Sequence, residues 1–342
     1  MSRHFESEKN SPLPTRRKFL SAAAAAASGV ALTRSMQASL RDDAAVIPIV
    51  DTHQHLWDLS KVQPPWLSGA PKILGQTYGL AEYAKATEGL HVVQAVYMEV
   101  DVSPADQVKE ADSLIEICRT AKSPTVAAVI SGRPAEKSFA PYIRKYAKEK
   151  EIKGVRQVLH ADTAVKGLCL QPSFVGSIQL LGELGLSFDL CMRPTELSDG
   201  LALAKMCPGT KFVVDHCGNA SPGAFLPEKT RKETPKHDPQ KWRDDIKALA
   251  EQANVICKIS GVIASAPPDV PFADSLAPIV NHCLDSFGAD RVVFGGDWPV
   301  CLLGGSYKDW VTALRTIISN RPVVDQKKLL HENAMKFYRL PA

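Results

Sequence analysis

The sequence predicts a single-domain α/β protein, a (β/α)8 (TIM) barrel. From residue 46 onward, eight short runs rich in Val, Ile, Leu, Phe and Ala alternate with longer segments of helical spacing, over a length close to the ~250 residues typical of this fold. No glycine-rich phosphate-binding turn follows the first run, which argues against an open doubly wound sheet. Histidines and acids stand directly after several runs, where a barrel places its reactive groups.

The predicted strands are nearly continuous in apolar residues, as expected of strands buried on both faces. They cover Val46–Thr52, Val92–Val100, Thr125–Ser131, Lys153–Leu159, Ser187–Met192, Lys211–Asp215, Val255–Ser260 and Arg291–Gly296. Between them, apolar residues recur every three or four positions, which predicts amphipathic helices. Gln326–Tyr338 is predicted to be a terminal helix that closes the barrel, and Gly218–Lys241 an extended loop on the catalytic face.

Residues 1–45 are predicted to be an export signal and linker, and residues 46–342 the barrel. Arg16 and Arg17 precede a weakly hydrophobic, alanine-rich run, the order typical of a twin-arginine signal. We therefore expect the twin-arginine export machinery to bind residues 15–34 and the mature protein to be periplasmic. The alternative is an exposed amphipathic N-terminal helix.

Composition bears on the class of partner. The 342 residues have a net charge of +4, but without the first 38 residues the chain holds 35 basic and 35 acidic residues. A neutral folded part indicates neither a nucleic acid nor an anionic membrane surface as partner. No uninterrupted apolar run reaches the roughly 18 residues of a membrane-spanning helix, so no stable insertion of the mature chain is expected.

The cysteines indicate neither disulfides nor a zinc finger. All eight are scattered along the chain, and no C-x-x-C pair occurs. Several lie in apolar strand or helix patterns, which predicts buried free thiols and no zinc-finger-type site.

Residues at the predicted strand ends define a candidate reaction site. His53 and His55 follow the first strand, His216 the sixth and Asp297 the eighth. Because the carboxyl ends of all eight strands open on one face of a barrel, we expect these four side chains to converge. His53 and His55 are two positions apart and face the same side, so their imidazoles can bind a metal or hydrogen-bond one substrate oxygen.

Four further residues are predicted to bind the substrate: Arg156, His160, Lys258 and Trp298. Arg156 and Lys258 have an equally good alternative as structural ion-pair partners. An H-x-H pair alone is a weak motif, and an Asp-His pair such as Asp215-His216 alone is more often a polar turn. The prediction therefore depends on the coincidence of the four main residues at three strand ends.

Several motifs occur in order along the chain: Val50–Asp58, Gly154–Arg156, Val214–Gly218, Lys258–Gly261, Phe294–Pro299, Asn333-Ala334 and Tyr338–Leu340. Together they resemble the amidohydrolase superfamily, specifically its branch of sugar-lactone and pyrone-dicarboxylate lactonases. The likeness runs from Ile47 to Leu340. It implies a water-dependent hydrolase in which Asp297 is the general base and His53, His55 and His216 match the histidines of strands one and six.

Departures from the family pattern bear on the metal. The resemblance implies that a two-metal member needs a carboxylated lysine or an acid at strand four and a histidine at strand five. This sequence has Arg156 and Met192 at those places. A single Zn²⁺ has candidate ligands in His53, His55, His216 and Asp297, whereas the resemblance to the lactonase branch implies that no metal is required. We predict that no cofactor is required, with a single Zn²⁺ or other divalent metal as the alternative.

The predicted function is hydrolysis of a small-molecule lactone, either sugar-derived or pyrone-type. Asp297 deprotonates a water, while His53, His55 and His216, with Arg156, hydrogen-bond the carbonyl oxygen as it gains charge. Two alternatives stay open. One is a mononuclear zinc hydrolase or decarboxylase of the same superfamily. The other is a non-catalytic periplasmic binding protein, against which the intact set of four residues argues.

Overall fold

The structure, a computed structural model, describes residues 47–120 and 123–342. Eight parallel strands pair in chain order. They are β1 (Ile49–Gln54), β2 (Val92–Met98), β3 (Thr125–Ser131), β4 (Ile152–Val158), β5 (Ser187–Cys191), β6 (Lys211–Val214), β7 (Val255–Ile259) and β8 (Val292–Phe294). The predicted signal and linker, residues 1–45, lie outside the described residues.

A helix follows each strand and covers the outside of the barrel. These helices are α1 (Leu80–Ala86), α2 (Gln107–Arg119), α3 (Phe139–Tyr146), α4 (Pro172–Glu183), α5 (Leu197–Met206), α6 (Pro239–Ala250), α7 (Phe272–Phe287) and α8 (Tyr307–Ile318). None of the helices described here is long and apolar enough to cross a lipid bilayer.

Strands β1 and β8 meet and close the barrel. The amide of Asp297 donates to the carbonyl of His53 at 2.8 Å, and the amide of His55 donates to the carbonyl of Trp298 at 2.8 Å. The predicted (β/α)8 barrel is therefore confirmed, with all eight strands at the expected places. Only β3 has the predicted bounds, and the largest differences are that β1 continues to Gln54 and that β8 is only three residues long.

The amino-terminal end of the barrel is closed by the C-terminal helical segment. This segment consists of α9 (Val323–Lys327), a π-helical stretch (Lys328–Glu332) and α10 (Asn333–Tyr338). Ala334 and Tyr338 pack into a core cluster with residues from six strands: Val50, Val96, Met98, Ala127, Val129, Val213, Ile256 and Val293. The predicted terminal helix is thus present, with one π-helical interruption.

The polar stretch after β6 is an extended loop, as predicted, although α6 begins inside its predicted range. The loop contains two 3-10 turns, Pro222–Phe225 and Glu228–Thr230. Asp238 ends it, because its carboxylate accepts hydrogen bonds from the first amides of α6 and so satisfies donors that have no partner within the helix.

All eight cysteines are free, and seven of them are buried, which confirms the free thiols predicted from the sequence. Cys217, Cys257 and Cys283 converge behind β6 and β7, with sulfur atoms within 4.8 Å of one another, a spacing that could hold a metal ion. A search for C-x-x-C pairs could not find this cluster, because its three cysteines come from three separate elements.

Candidate active site

A cavity of about 340 Å³ opens at the carboxyl ends of the strands. Five of the eight predicted site residues line it: His55, Arg156, His160, His216 and Asp297. The other lining residues are Trp66, Val100, Asp101, Val158, Ala161, Asn219, Gly261, Ala264, Ser265 and Val300. The cavity lies where a barrel enzyme places its active site.

The four predicted catalytic residues converge on one oxygen atom. Asp297 Oδ1 lies 3.4 Å from His55 Nε2, 3.6 Å from His53 Nε2 and 3.9 Å from His216 Nε2. His53 itself is fully buried beneath the cavity. The structure therefore places three imidazoles around a single carboxylate.

Asp51 fixes β1 against the turn after β8. Its buried carboxylate accepts hydrogen bonds from the amides of His53 and Gly296 at 2.9 and 2.7 Å and from the hydroxyls of Tyr83 and Tyr307 at 2.8 and 3.0 Å. Burial raises the pKa of Asp51, and these donors oppose that rise. A Cβ at residue 296 would lie 2.3 Å from the Tyr307 ring, so glycine is required there for this close approach.

The hydrogen-bond partner of His55 fixes its tautomer. His55 Nδ1 lies 2.9 Å from the carbonyl oxygen of Met98. A carbonyl can only accept, so Nδ1 holds the proton. In the neutral ring, Nε2 then directs a lone pair toward Asp297.

The partner of His53 fixes its tautomer in the opposite sense. Arg156 Nη1 lies 3.2 Å from His53 Nε2, and a guanidinium can only donate. His53 Nε2 is therefore an acceptor, and the ring proton sits on Nδ1, 3.6 Å from Asp215 Oδ1. Burial, together with the nearby Lys258, lowers the pKa of His53 well below its ordinary value, so this ring is neutral at pH 7.

His216 stands in a left-handed turn. Residues His216–Asn219 all have positive φ values between 52° and 68°, a conformation that costs a non-glycine residue roughly 1–2 kcal/mol. The Asn219 amide group donates to the carbonyl of Met192 at 2.7 Å and holds the turn. Gly261 leaves room for the imidazole, because a Cβ there would lie 2.3 Å from His216 Nδ1.

The protonation of His216 follows from its surroundings. Burial lowers its pKa from the ordinary value, so the ring is neutral at pH 7. Its Nδ1 lies 2.9 Å from the Ser260 hydroxyl, which is able to donate to it. The Nε2–H of His216 is then available as a donor at the cavity wall.

Beneath the histidines lies a buried row of charges with alternating sign, none more than 5% exposed: Glu99, Arg156, Asp215, Lys258 and Asp189. Arg156 Nε lies 2.6 Å from Glu99 Oε1, and Arg156 Nη1 lies 3.6 Å from Asp215 Oδ2. Lys258 Nζ lies 2.9 Å from Asp215 and 2.7 Å from Asp189. Such charges are tolerated in a barrel interior because each has an opposite partner.

The row sets the ionisation of its acids. Burial raises the pKa of Asp189 to about 7, against the attraction of Lys258. Burial also favours the neutral form of Asp215, but Lys258 and His53 hold its pKa well below the usual range. Asp215 is therefore a fixed negative charge beside the Nδ1–H of His53.

Two residues predicted to bind substrate lie outside the cavity. Lys258 has no exposed surface, and its ammonium is held between two carboxylates. Trp298 is 1% exposed and packs edge-on against Tyr78 and Tyr83. Both side chains therefore lie behind the cavity wall and support the site from there. A position at a strand end fixes how far along the barrel axis a residue lies, but it does not fix whether its side chain points into the cavity.

Several residues of the site escaped the sequence prediction. Asp189 interrupts an apolar strand, and that interruption was the available signal. Trp66 and Asn219 lie in loops that reach the cavity, and no spacing rule singles them out. Asp101 lies just after β2, and its place at a strand end was the available signal.

The residues present fit a single divalent metal ion. His53, His55 and Asp297 offer three acceptor atoms within 4.8 Å of one another. The distances from Asp297 Oδ1 to the Nε2 atoms of His55 and His53, 3.4 and 3.6 Å, match the ~3.4 Å between tetrahedral ligands at about 2.1 Å from zinc. The guanidinium of Arg156 is the one mismatch, because it already donates to His53 Nε2. His53, Asp215 and His216 form a second such group, but Lys258 already binds its carboxylate.

Comparisons with known proteins agree with this geometry. A model of the amidohydrolase family matches residues 50–340. An L-fucono-1,5-lactonase of Burkholderia multivorans is 26% identical over 301 residues, which are 85% of this chain and 96% of the relative.

Solved structures extend the comparison. An amidohydrolase from Burkholderia multivorans with bound HEPES superposes with a TM-score of 0.75 at 21% identity, over 86% of this chain and 100% of that one. A second crystal form of it, with bound Zn, gives 0.73. A probable 2-pyrone-4,6-dicarboxylic acid hydrolase from Acinetobacter baumannii, with citric acid bound, gives 0.65 at 14% identity, over 85% and 99%. At these identities the structural matches show the shared fold.

Proposed function

The chain belongs to the amidohydrolase family, and from this premise we propose that it is a hydrolase that opens the ring of a lactone. The observation that supports this most directly is the convergence of His53, His55 and His216 on Asp297 Oδ1 at the cavity. The similarity to a protein named L-fucono-1,5-lactonase supports the same reaction.

A water beside Asp297 is well placed to lose a proton. Three acceptors surround one position: Asp297 Oδ1 and the Nε2 atoms of His53 and His55. Because Arg156 occupies His53 Nε2, the water donates one hydrogen to Asp297 and the other to His55. Its oxygen lone pair then attacks the lactone carbonyl while Asp297 acts as general base.

Two donors face the negative charge that grows on the carbonyl oxygen. His216 offers its Nε2–H, and Arg156 retains an N–H on the cavity side. In this mechanism His55 holds the water, His53 is engaged by Arg156, and neither of these two rings donates to the carbonyl oxygen. Losing one preorganised donor typically costs ~3 kcal/mol of barrier.

The tetrahedral intermediate collapses with its protons balanced. The bond from the acyl carbon to the ring oxygen breaks, and the ring oxygen takes up the proton that Asp297 received from water. The product is a hydroxy acid, and Asp297 returns to its carboxylate form. At neutral pH the new carboxylic acid releases one proton to solvent.

We propose that no metal is required. A divalent ion held by His53, His55 and Asp297 would supply Lewis-acid activation of the carbonyl or of a bound water. An ion at His53 would have to displace the Arg156 guanidinium, which cannot act as a ligand. A ring ester is also reactive enough to be opened with a carboxylate base and two hydrogen-bond donors.

The test is a panel of aldono-lactones and pyrone carboxylic acids, with and without chelator, in which acid release is followed with a pH dye. We expect one lactone class to be hydrolysed equally well after chelation, with less than stoichiometric metal by mass spectrometry. Loss of activity on chelation with recovery on adding Zn²⁺ would instead establish a mononuclear zinc hydrolase. Absence of turnover for every lactone would contradict the lactonase assignment.

We further propose that residues 15–34 direct twin-arginine export to the periplasm, on the strength of Arg16 and Arg17 ahead of the alanine-rich run. Cell fractionation of the full chain tests this. Export should be lost when both arginines are replaced by lysine, whereas replacing Arg3 and Lys9 is the matched control. A double-lysine variant that still reaches the periplasm would contradict the proposal.

A further inference from the structure

The charges around the cavity disfavour an anionic substrate. Two carboxylates line it, Asp101 and Asp297, against the single guanidinium of Arg156. Among the lining residues that the structure describes there is no lysine. A substrate with its own carboxylate would therefore meet an excess of negative charge. Arg133 lies 2.9 Å from Asp101, but Glu99 and Asp215 lie beside Arg156.

Arg156 does not compensate for this, because most of its donors are engaged. Its Nε and Nη2 bind the side chain and the carbonyl of Glu99 at 2.6 and 2.7 Å, and its Nη1 binds His53. The guanidinium is left without the free pair of parallel N–H groups that hold a carboxylate. One N–H can serve a carbonyl oxygen, but a dicarboxylate has no binding partner here.

Asp101 is held rigidly at the cavity wall. Its backbone has a φ of 50°, its amide donates to Glu99 Oε2 at 2.7 Å, and its Oδ1 accepts from Arg133 Nη2 at 2.9 Å. Within the part of the chain that the structure describes, its Oδ2 accepts no hydrogen bond. This strained and anchored carboxylate is thus an acceptor with capacity for a ligand.

Two neighbours complete the surface. Asn219 lines the cavity, and its side-chain nitrogen donates to the carbonyl of Met192, so its side-chain oxygen remains an acceptor. The indole nitrogen of Trp66 donates to the carbonyl of Val100 at 2.7 Å, which fixes the ring against the cavity. Two acceptors beside an aromatic ring suit a molecule with hydroxyl donors and C–H faces.

We propose that Asp101, Asn219 and Trp66 form a subsite for the hydroxyl groups of a neutral, polyhydroxylated lactone, and that Asp101 excludes lactones that have a carboxylate. This inference rests on the proposed function for the identity of the reacting ring. It separates the two lactone classes that the sequence left open, and it assigns the choice between them to a residue outside the catalytic set.

The experiment measures binding and turnover separately. An aldono-1,5-lactone is compared with its counterpart in which the terminal hydroxymethyl group is a carboxylate. Calorimetry on the Asp297→Asn protein gives the dissociation constants of the two lactones without hydrolysis. Kinetics of the protein with Asp297 intact give kcat/KM. Asp101→Asn is then introduced into both proteins. The matched control is Asp162→Asn, an exposed acid next to the lining residue Ala161.

We expect the neutral lactone to bind at least 10-fold more tightly than the charged one. Asp101→Asn should weaken binding of the neutral lactone about 10-fold, the order expected for losing a hydrogen bond to a charged acceptor, and should tighten binding of the charged one. Asp162→Asn should change neither. If Asp101→Asn leaves the ratio of the two constants unchanged, the subsite assignment is wrong.

Failure of the two proposals can be told apart. Preferential binding of the neutral lactone that disappears in Asp101→Asn, without turnover of either lactone by wild type, overturns the proposed reaction and supports the subsite. Turnover of the charged lactone with an equal or higher kcat/KM than the neutral one overturns the subsite and leaves the lactonase intact.

Discussion

The two ends of the barrel differ in almost every physical property. The amino-terminal end is filled by aliphatic side chains from the strands and closed by Ala334 and Tyr338. The carboxyl-terminal end buries five charged residues in a row and three imidazoles around one carboxylate. One end therefore stabilises the fold by apolar burial, whereas the other holds groups whose desolvation is costly.

Backbone conformation shows the same division. The described residues include seven non-glycine residues with positive φ, and five of them follow strands at the catalytic end: Asp101, His216, Cys217, Asn219 and Asp297. Backbone strain of this kind persists where surrounding contacts over-determine it, and it is typical of functional sites. The comparison predicts that substitutions at the carboxyl-terminal end lower kcat, whereas substitutions at the amino-terminal end lower the free energy of unfolding without a large effect on kcat.

The largest effect is expected for Asp297→Asn. The amide cannot accept the proton of the attacking water, so kcat should fall by about 10³-fold or more, while the amide keeps the size of the side chain. Steady-state kinetics and thermal unfolding of the same preparations check this. Residual activity within 10-fold of wild type would remove Asp297 as the base.

Lys258→Met is expected to affect both properties, because its ammonium joins the two carboxylates beneath the site. Removing it leaves Asp189 and Asp215 without their shared cation, and breaking a buried pair in this way typically costs 3–5 kcal/mol. Denaturant unfolding should show that loss, and kcat should fall because Asp215 orients His53. Adding Asp189→Asn should recover part of the stability. Unchanged stability in Lys258→Met would show that the charge row is not a structural support.

Val96→Ala tests the opposite end. Val96 is fully buried in the apolar cluster, and removing two carbon atoms from a packed core should lower the free energy of unfolding by about 2 kcal/mol. The cavity created lies away from the reacting groups, so kcat/KM should stay within twofold of wild type. A large kinetic effect would contradict the division of the barrel into a stabilising and a catalytic end.

The smallest effect is a dependence of stability on pH. In the unfolded chain the pKa values of His53 and His216 are near 6.5. In the folded chain both pKa values are lower. The unfolded state therefore binds more protons as the pH falls below 6.5. The contribution of these two histidines to the free energy of unfolding is therefore fully present above pH 6.5. Below that pH it declines by at most about 1.4 kcal/mol per pH unit for each histidine.

Urea unfolding between pH 7.5 and 5.5 measures this slope. His216→Asn should reduce it, whereas Val96→Ala, which removes no titratable group, is the control. An identical slope in the His216 variant would mean that this ring titrates alike in the folded and unfolded states and that its pKa is not lowered by folding.

The strands and the convergence of the four candidate catalytic residues were predictable because they follow from local rules. Apolar runs of strand length and helical stripes set the element order, and the carboxyl-end rule gave His53, His55, His216 and Asp297. Lys258 was misplaced because a strand end does not determine side-chain direction; within β7 its side chain joins buried acids. Trp66 and Asn219 were missed because loop contacts depend on how the chain returns to the barrel.

The sequence by itself determined the barrel and the chemical types of its candidate catalytic groups, because periodicity and strand-end position are properties of the chain. Only the tertiary structure decided which nitrogens of His53 and His55 bear a proton, which charges are paired, and which side chains line the cavity. The two tautomers depend on partners far away in sequence, Arg156 for His53 and Met98 for His55. A hydrogen bond acts over about 3 Å in space, and no spacing along the chain records that distance.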